Sequence, residues 1–145
     1  MKQLSIAVIF LLTIIGTRAA DKGPGFQGIE SFKHQYPNAT LLSYKVKELY
    51  TEVNFIWNDM RLQAFYSQDG EFVATCREVI IGSLPLSVQM SLKNEYPNYT
   101  IRDAIEYDDS DNGVSYFVTM IGQKAAYLLR VSTGGTISVF KKMKN

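Results

Sequence analysis

Residues 94–100 read NEYPNYT, and residues 34–40 read HQYPNAT. Each Tyr-Pro-Asn follows a run with helical spacing of apolar residues. Upstream of the second, SLPLSVQMSLKNEYPN (83–98) places Leu84, Val88, Leu92 and Tyr96 at steps of four. Pro85 suits a first helical turn. Pro97 ends the helix, because proline disfavours the α conformation in the residue before it. Upstream of the first, GFQGIESFKHQYPN (25–38) sets Phe26, Ile29, Phe32 and Tyr36 on one side and stops at Pro37. The motif is therefore a helix stop, used twice at a spacing of sixty residues.

After each stop come β-branched and aromatic runs divided by turn residues. WNDM (57–60), QDGE (68–71), DNGV (111–114), IGQK (121–124) and TGGT (133–136) are hairpin turns, rich in residues that tolerate positive φ. Between them lie LLSYKVK, TEVNFIW, RLQAFYS and EFVATCREVI, then TIRDAIEY, VSYFVTMI, KAAYLLRV and TISVF. One helix followed by four antiparallel strands is thus written twice, about 24–80 and 81–145. Tyr36 matches Tyr96, Phe32 matches Leu92, and Gly70 matches Gly134 or Gly135. The spacing predicts an α+β fold in which tandem helix-plus-four-strand repeats form an antiparallel sheet with two helices packed on one face. REVIIGSLP (77–85) is too short for a linker, so residues 21–145 read as a single domain.

The N-terminus has a different character. MKQLSIAVIFLLTIIGTRAA (1–20) carries Lys2, an apolar run from Leu4 to Ile15 and small residues up to Ala20, the layout of a cleaved secretory signal peptide. The run is short of the roughly 20 apolar residues that span a bilayer. This predicts a periplasmic or secreted protein with no membrane insertion after cleavage. Losing Lys2 and Arg18 takes the 15 basic residues to 13, against 14 acidic ones, a net charge near −1. Such a balance argues against nucleic acid, which wants a basic face. The tail KKMKN reads as a solubilising end. The single cysteine, Cys76, excludes an internal disulfide, and its strand-like context reads as a buried thiol.

The pattern resembles the PepSY-like family whose members are described as β-lactamase-inhibitor-protein-like. SFKHQYPNATLLSYKV, FYSQDGEFVATCREVI, LPLSVQMSLKNEYPNYTI, GVSYFVTM and GGTISVF carry the resemblance. It implies an exported protein of Gram-negative bacteria with a tandem-repeat α+β fold and no established activity. No inhibitory residue can be matched, so inhibition of a β-lactamase is not carried over.

The turns also set registers. A two-residue turn at Asn58-Asp59 pairs Trp57 with Met60, Phe55 with Leu62 and Val53 with Ala64, all on the core face beneath the helices. The opposite face then shows Glu52, Asn54 and Ile56 beside Arg61, Gln63 and Phe65. A turn at Gly122-Gln123 pairs Tyr116 with Leu129 and Val118 with Tyr127, leaving Ser115, Phe117, Thr119 and Ile121 outward next to Lys124, Ala126, Leu128 and Arg130. Aromatic residues and arginines among polar neighbours compose protein-binding surfaces. The candidate binding residues are therefore Asn54, Ile56, Arg61, Gln63, Phe65, Phe117, Leu128 and Arg130. The expected partner is a protein or peptide of unknown identity, with no cofactor or metal, and a homodimer is a further option. The rival reading is a structural or assembly component that acts by dimerisation or sheet-edge pairing.

Catalytic patterns are thin. His34 is the one histidine and has no partner residues at triad or zinc spacing. DDSDNG (108–113) starts like a calcium loop but meets Thr119 where a bidentate Glu is needed. Glu52, Glu71 and Glu106 leave paired carboxylates open. NAT (38–40) and NYT (98–100) are formal glycosylation sequons, silent in a bacterium.

Overall fold

The structure, a computed structural model, describes residues 26–144. The expected signal peptide lies outside the described residues. The chain runs α1 (Phe26–Gln35), β1 (Thr40–Val46), β2 (Tyr50–Trp57), β3 (Met60–Ser67), β4 (Phe72–Glu78), a 3-10 turn (Ile81–Ser83), α2 (Leu86–Glu95), β5 (Thr100–Asp109), β6 (Gly113–Ile121), β7 (Ala125–Ser132) and β8 (Ile137–Lys144). All eight strands form one antiparallel sheet in sequence order. This is the α+β architecture that the spacing predicts.

Each Tyr-Pro-Asn ends its helix with the same bonds. Tyr36 N–H donates to Phe32 O at 2.8 Å and Tyr96 N–H to Leu92 O at 2.9 Å. Ala39 and Tyr99 then donate to the carbonyls of Tyr36 and Tyr96, both at 3.1 Å, closing a turn with proline at its second position. The chain enters β1 or β5 and meets a bulge between Leu41 and Ser43, or between Ile101 and Asp103, again sixty residues apart.

Two apolar cores lie between the helices and the sheet. Ile29 and Phe32 of α1 pack on Val53, Phe55, Ala64 and Tyr66, while Leu84, Val88 and Leu92 pack on Ala104, Val118, Leu129 and Val131. Each such aliphatic or aromatic side chain contributes about 1.5–3 kcal/mol on burial. Phe26 departs from expectation: it is exposed at the start of α1, beyond the reach of the core that Ile29 and Phe32 fill.

The β3–β4 and β7–β8 turns dock on the helices in matching ways. Ser67 N–H and Ser132 N–H donate to Glu71 O and Thr136 O, and the serine hydroxyls accept from the same two residues' amides. Gly70 (φ 81°) and Gly135 (φ 91°) close these turns against α1 and α2. A Cβ on Gly70 would stand 3.0 Å from Gln27 O, and one on Gly135 2.8 Å from Ser87 O. Gly135, not Gly134, is therefore the counterpart of Gly70.

Three further expectations are corrected. The β2–β3 register is as derived, with Asn58 and Asp59 at φ 49° and 62° in the turn. The β6–β7 register is shifted: Tyr116 pairs with Val131, Val118 with Leu129 and Met120 with Tyr127. The turn is Gln123-Lys124, because Gly122 N–H donates to Ala125 O and the Tyr99 ring packs where a Gly122 side chain would be. Lys124 thus sits in the turn and not on the outer face. A two-residue shift leaves every other side chain on its assigned face. Residues 141–144 of the KKMKN tail are strand, paired with β7. β4 ends at Glu78, short of the expected Ile80, which is exposed where the chain turns toward α2.

Candidate functional site

The side of the sheet away from the helices is built by strand alternation. Tyr50, Glu52, Asn54 and Ile56 of β2 lie beside Arg61, Gln63 and Phe65 of β3. Cross-strand neighbours then continue through Cys76 of β4, Tyr107 of β5, Ser115 and Phe117 of β6, and Leu128 and Arg130 of β7. All eight candidate residues share this face.

They separate into a packed floor and a polar border. Phe65, Phe117 and Leu128 are 1%, 5% and 4% exposed, in one apolar cluster with Tyr50, Ala74, Cys76 and Tyr107. Phe117 meets Tyr107 and Phe140 edge-on at 5.7 and 5.3 Å. The Arg130 guanidinium lies 5.8 Å from the Phe117 ring centre, and its Nε donates to Ser115 Oγ at 3.2 Å. Arg130, Asn54 and Gln63 are half-buried, while Ile56 and Arg61 are exposed.

A hydrogen-bonded cluster occupies the β1–β3 end. Gln63 Nε2 donates to Glu52 Oε1 at 3.0 Å and to Asn54 Oδ1 at 2.7 Å. Asn54 Nδ2 donates to Glu52 Oε1 and to Ser43 Oγ, both at 3.3 Å. Glu52 is 8% exposed, an unusual burial for a carboxylate held by neutral donors. Two residues away on the same strand face, Tyr50 is 5% exposed and its hydroxyl has no hydrogen-bond partner among the described residues. Burial, and then the charge of Glu52, raise the Tyr50 hydroxyl pKa. At the far end, Thr119 Oγ1 donates to Asp103 Oδ1 at 2.5 Å beside the Arg102–Asp103 ion pair.

Strand alternation marks Glu52 as outward-facing, and its residue type marks it as one of three carboxylates, but neither signals its burial. Tyr50 stands at the same alternation, two residues before Glu52, and is a member of this face that the candidate set above lacks. Cys76 joins the cluster through the β3–β4 hairpin, and Tyr107 through the β4–β5 pairing, which no hairpin turn announces. Cys76 is buried, and burial, aided by the Glu52 charge, pushes its thiol up to about 12.

The other candidate groups do not converge. Glu106 lies on the helix side, bound in a fork by Arg77 (Nε–Oε1 2.7 Å, Nη2–Oε2 3.1 Å). Glu71 is exposed at the β3–β4 turn, and Glu52 is on the opposite face from Glu106. His34 is exposed in the last turn of α1. Asp109 Oδ1 accepts from the amides of Asp111 and Asn112, so the acidic loop is a hairpin turn. Among the described residues no group of three or more His, Cys, Asp or Glu could hold a metal ion, and no helix is long and apolar enough to cross a membrane.

No protein-family model matches the sequence, and no curated protein matches it. Solved structures do. A BLIP-like protein from Bacteroides fragilis superposes with a TM-score of 0.74 at 21% identity, over 86% of this chain and 90% of that one. A DUF2874 family protein from Bacteroides ovatus gives 0.72 at 19% identity, over 86% and 89%. A Bacteroides eggerthii protein, named as a candidate periplasmic protein, gives 0.69 at 13%, over 85% and 90%. The fold is therefore BLIP-like: one antiparallel sheet backed by two helices. At these identities the likeness shows the fold alone.

Proposed function

We propose that this chain is an exported, non-catalytic binding module of the bacterial envelope, built of two PepSY-like repeats, that recognises a protein or peptide through the helix-free sheet face. One observation carries the reading. That face buries a carboxylate and several aromatic rings, borders them with Asn54, Gln63 and Arg130, and leaves Ile56 and Arg61 accessible. Aromatic and arginine side chains around a desolvated centre are what protein interfaces use for affinity. A periplasmic location is consistent with the expected leader and with the naming of the Bacteroides eggerthii structure. The test is affinity purification of the tagged protein from its native envelope beside a folded Ile56→Glu, Arg61→Glu variant. A partner enriched by the wild type and lost by the variant supports the reading; identical eluates refute it.

The sheet edges favour a second reading. β8 carries Lys141, Lys142 and Lys144, a guard against strand addition, whereas β1 exposes Leu41, Leu42 and Val46. Self-association through β1 would then make the protein an assembly component. Sedimentation that depends on concentration, and that Leu41→Lys, Val46→Lys abolishes, would favour it over the binding module.

A further inference from the structure

We infer that the Tyr50–Glu52 end of the helix-free face is a receptor for a cationic side chain, the ammonium or guanidinium group of a lysine or arginine presented by a protein partner. The inference rests on the reading of this face as a binding surface, and names the chemistry of what it binds.

Glu52 Oε1 is occupied by two amide donors, and both come from neutral side chains. Its charge is therefore solvated but not neutralised. Lys45 stands opposite Glu52 across the β1–β2 ladder, half-buried, yet the two form no ion pair. Glu52 Oε2 has no hydrogen bond among the described residues. Two residues earlier on the same strand face, the Tyr50 hydroxyl is buried, has no hydrogen-bond partner among the described residues and feels the Glu52 charge. A buried polar group without a partner is costly, so one that persists points to a missing partner.

The occupant's chemistry follows from this inventory. A carboxylate oxygen accepts only, and the tyrosine oxygen has lone pairs to offer. Ammonium and guanidinium groups have several donors and no acceptor, so one group can serve both oxygens. An anion would be repelled by Glu52, and a neutral apolar group would leave both oxygens unmet. The Tyr50 ring packs against that of the buried Phe65, ring centres 5.8 Å apart, which fixes where the tyrosine side chain lies. Burial from water strengthens the resulting charge-assisted bonds. Asn54 and Gln63 hold Glu52 in place from the half-buried border, so the site is oriented before the partner arrives.

The test uses the full exported protein, purified from its envelope, and two neutral-backbone tripeptides: acetyl-Gly-Lys-Gly-amide and its norleucine analogue. Side-chain amide signals of Asn54 and Gln63 in NMR spectra report binding. The lysine peptide is expected to move them with a saturating dependence, and the norleucine peptide to leave them in place. Glu52→Gln should weaken the lysine peptide at least about tenfold, as loss of a charge-assisted bond implies. Tyr50→Phe should weaken it less while leaving thermal stability unchanged or raised, because no native hydrogen bond is lost. Lys45→Met, which removes the cross-strand cation, should leave binding equal or tighter. Equal responses to the two peptides overturn the inference, as does a Glu52→Gln protein that binds like wild type. So does a Tyr50→Phe protein that loses stability, which would show the hydroxyl satisfied within the fold. A protein partner captured equally by wild type and Glu52→Gln would overturn the cation site while the binding face stands. If the Ile56, Arg61 variant also captures the same proteins as wild type, both readings fall.

Discussion

Replacing Gly135 by alanine tests how the β7–β8 turn is fastened to α2. Gly135 sits at φ 91°, where an L residue is strained by about 1–2 kcal/mol. Its added Cβ would also lie 2.8 Å from Ser87 O and 2.5 Å from Ser91 Oγ. The serine hydroxyl can rotate away, but the carbonyl belongs to the first turn of α2 and cannot yield without moving the helix. Overpacking of this kind costs about 1–3 kcal/mol, for a total near 2–5 kcal/mol. Gly113 is the internal control. It has φ 71° and nothing within 4 Å of its Cβ position, so alanine there should cost only about 1–2 kcal/mol. Urea unfolding of both variants gives the difference, read from the midpoints at constant slope. Pairing Gly135→Ala with Ser91→Ala should recover only the hydroxyl's share. Equal losses at Gly135 and Gly113 would refute the helix contact as the reason for this glycine.

Phe117→Ala should cost about 3–5 kcal/mol in urea unfolding, while Ile56→Ala on the same face should stay within about 0.5 kcal/mol; similar small losses would show that the aromatic floor is not packed. Native Cys76 should resist alkylation at pH 8 and react fully once unfolded; rapid native labelling would contradict its burial. The thiol rises from 9.0 to about 12 and Tyr107 from 10.0 to about 12, in both cases mainly through burial. Their folded pKa values exceed the unfolded ones, so the stability they contribute is complete below pH 9 and is lost as pH climbs toward 12. Alkaline unfolding should therefore set in across that window, and Cys76→Ala should flatten its onset; a stability unchanged between pH 9 and 12 would refute the assignment. Tyr66→Phe removes the 2.9 Å bond to Gln35 Oε1 and should cost about 1 kcal/mol, measured the same way.

What was legible in the sequence is what is local. Tyr36-Pro37-Asn38 and Tyr96-Pro97-Asn98 end helices because proline's ring acts on the residue before it, whatever surrounds them. Asn58-Asp59 admits positive φ at both positions, and that alone aligns β2 with β3 and sorts Glu52, Asn54 and Ile56 from Val53 and Phe55. Alternation with period 2 even survived the misplaced Gly122-Gln123 turn, since a shift of two residues exchanges partners without exchanging faces. The tertiary structure decided everything that depends on elements far apart in the chain. Joining β4 to β5 across the α2 connection puts Cys76 beside Tyr107, and no turn residue specifies that pairing. Lys141–Lys144 are strand because β7 offers them a ladder, against their polar composition. Phe65 and Phe117 were readable as outward from the helices, but their depth of burial was not: it depends on Tyr50, Tyr107, Phe140 and neighbouring side chains brought together from five strands. The buried Glu52 and the unpartnered Tyr50 hydroxyl belong to the same class, because solvation of a side chain is set by what packs over it, which a single strand's alternation cannot encode.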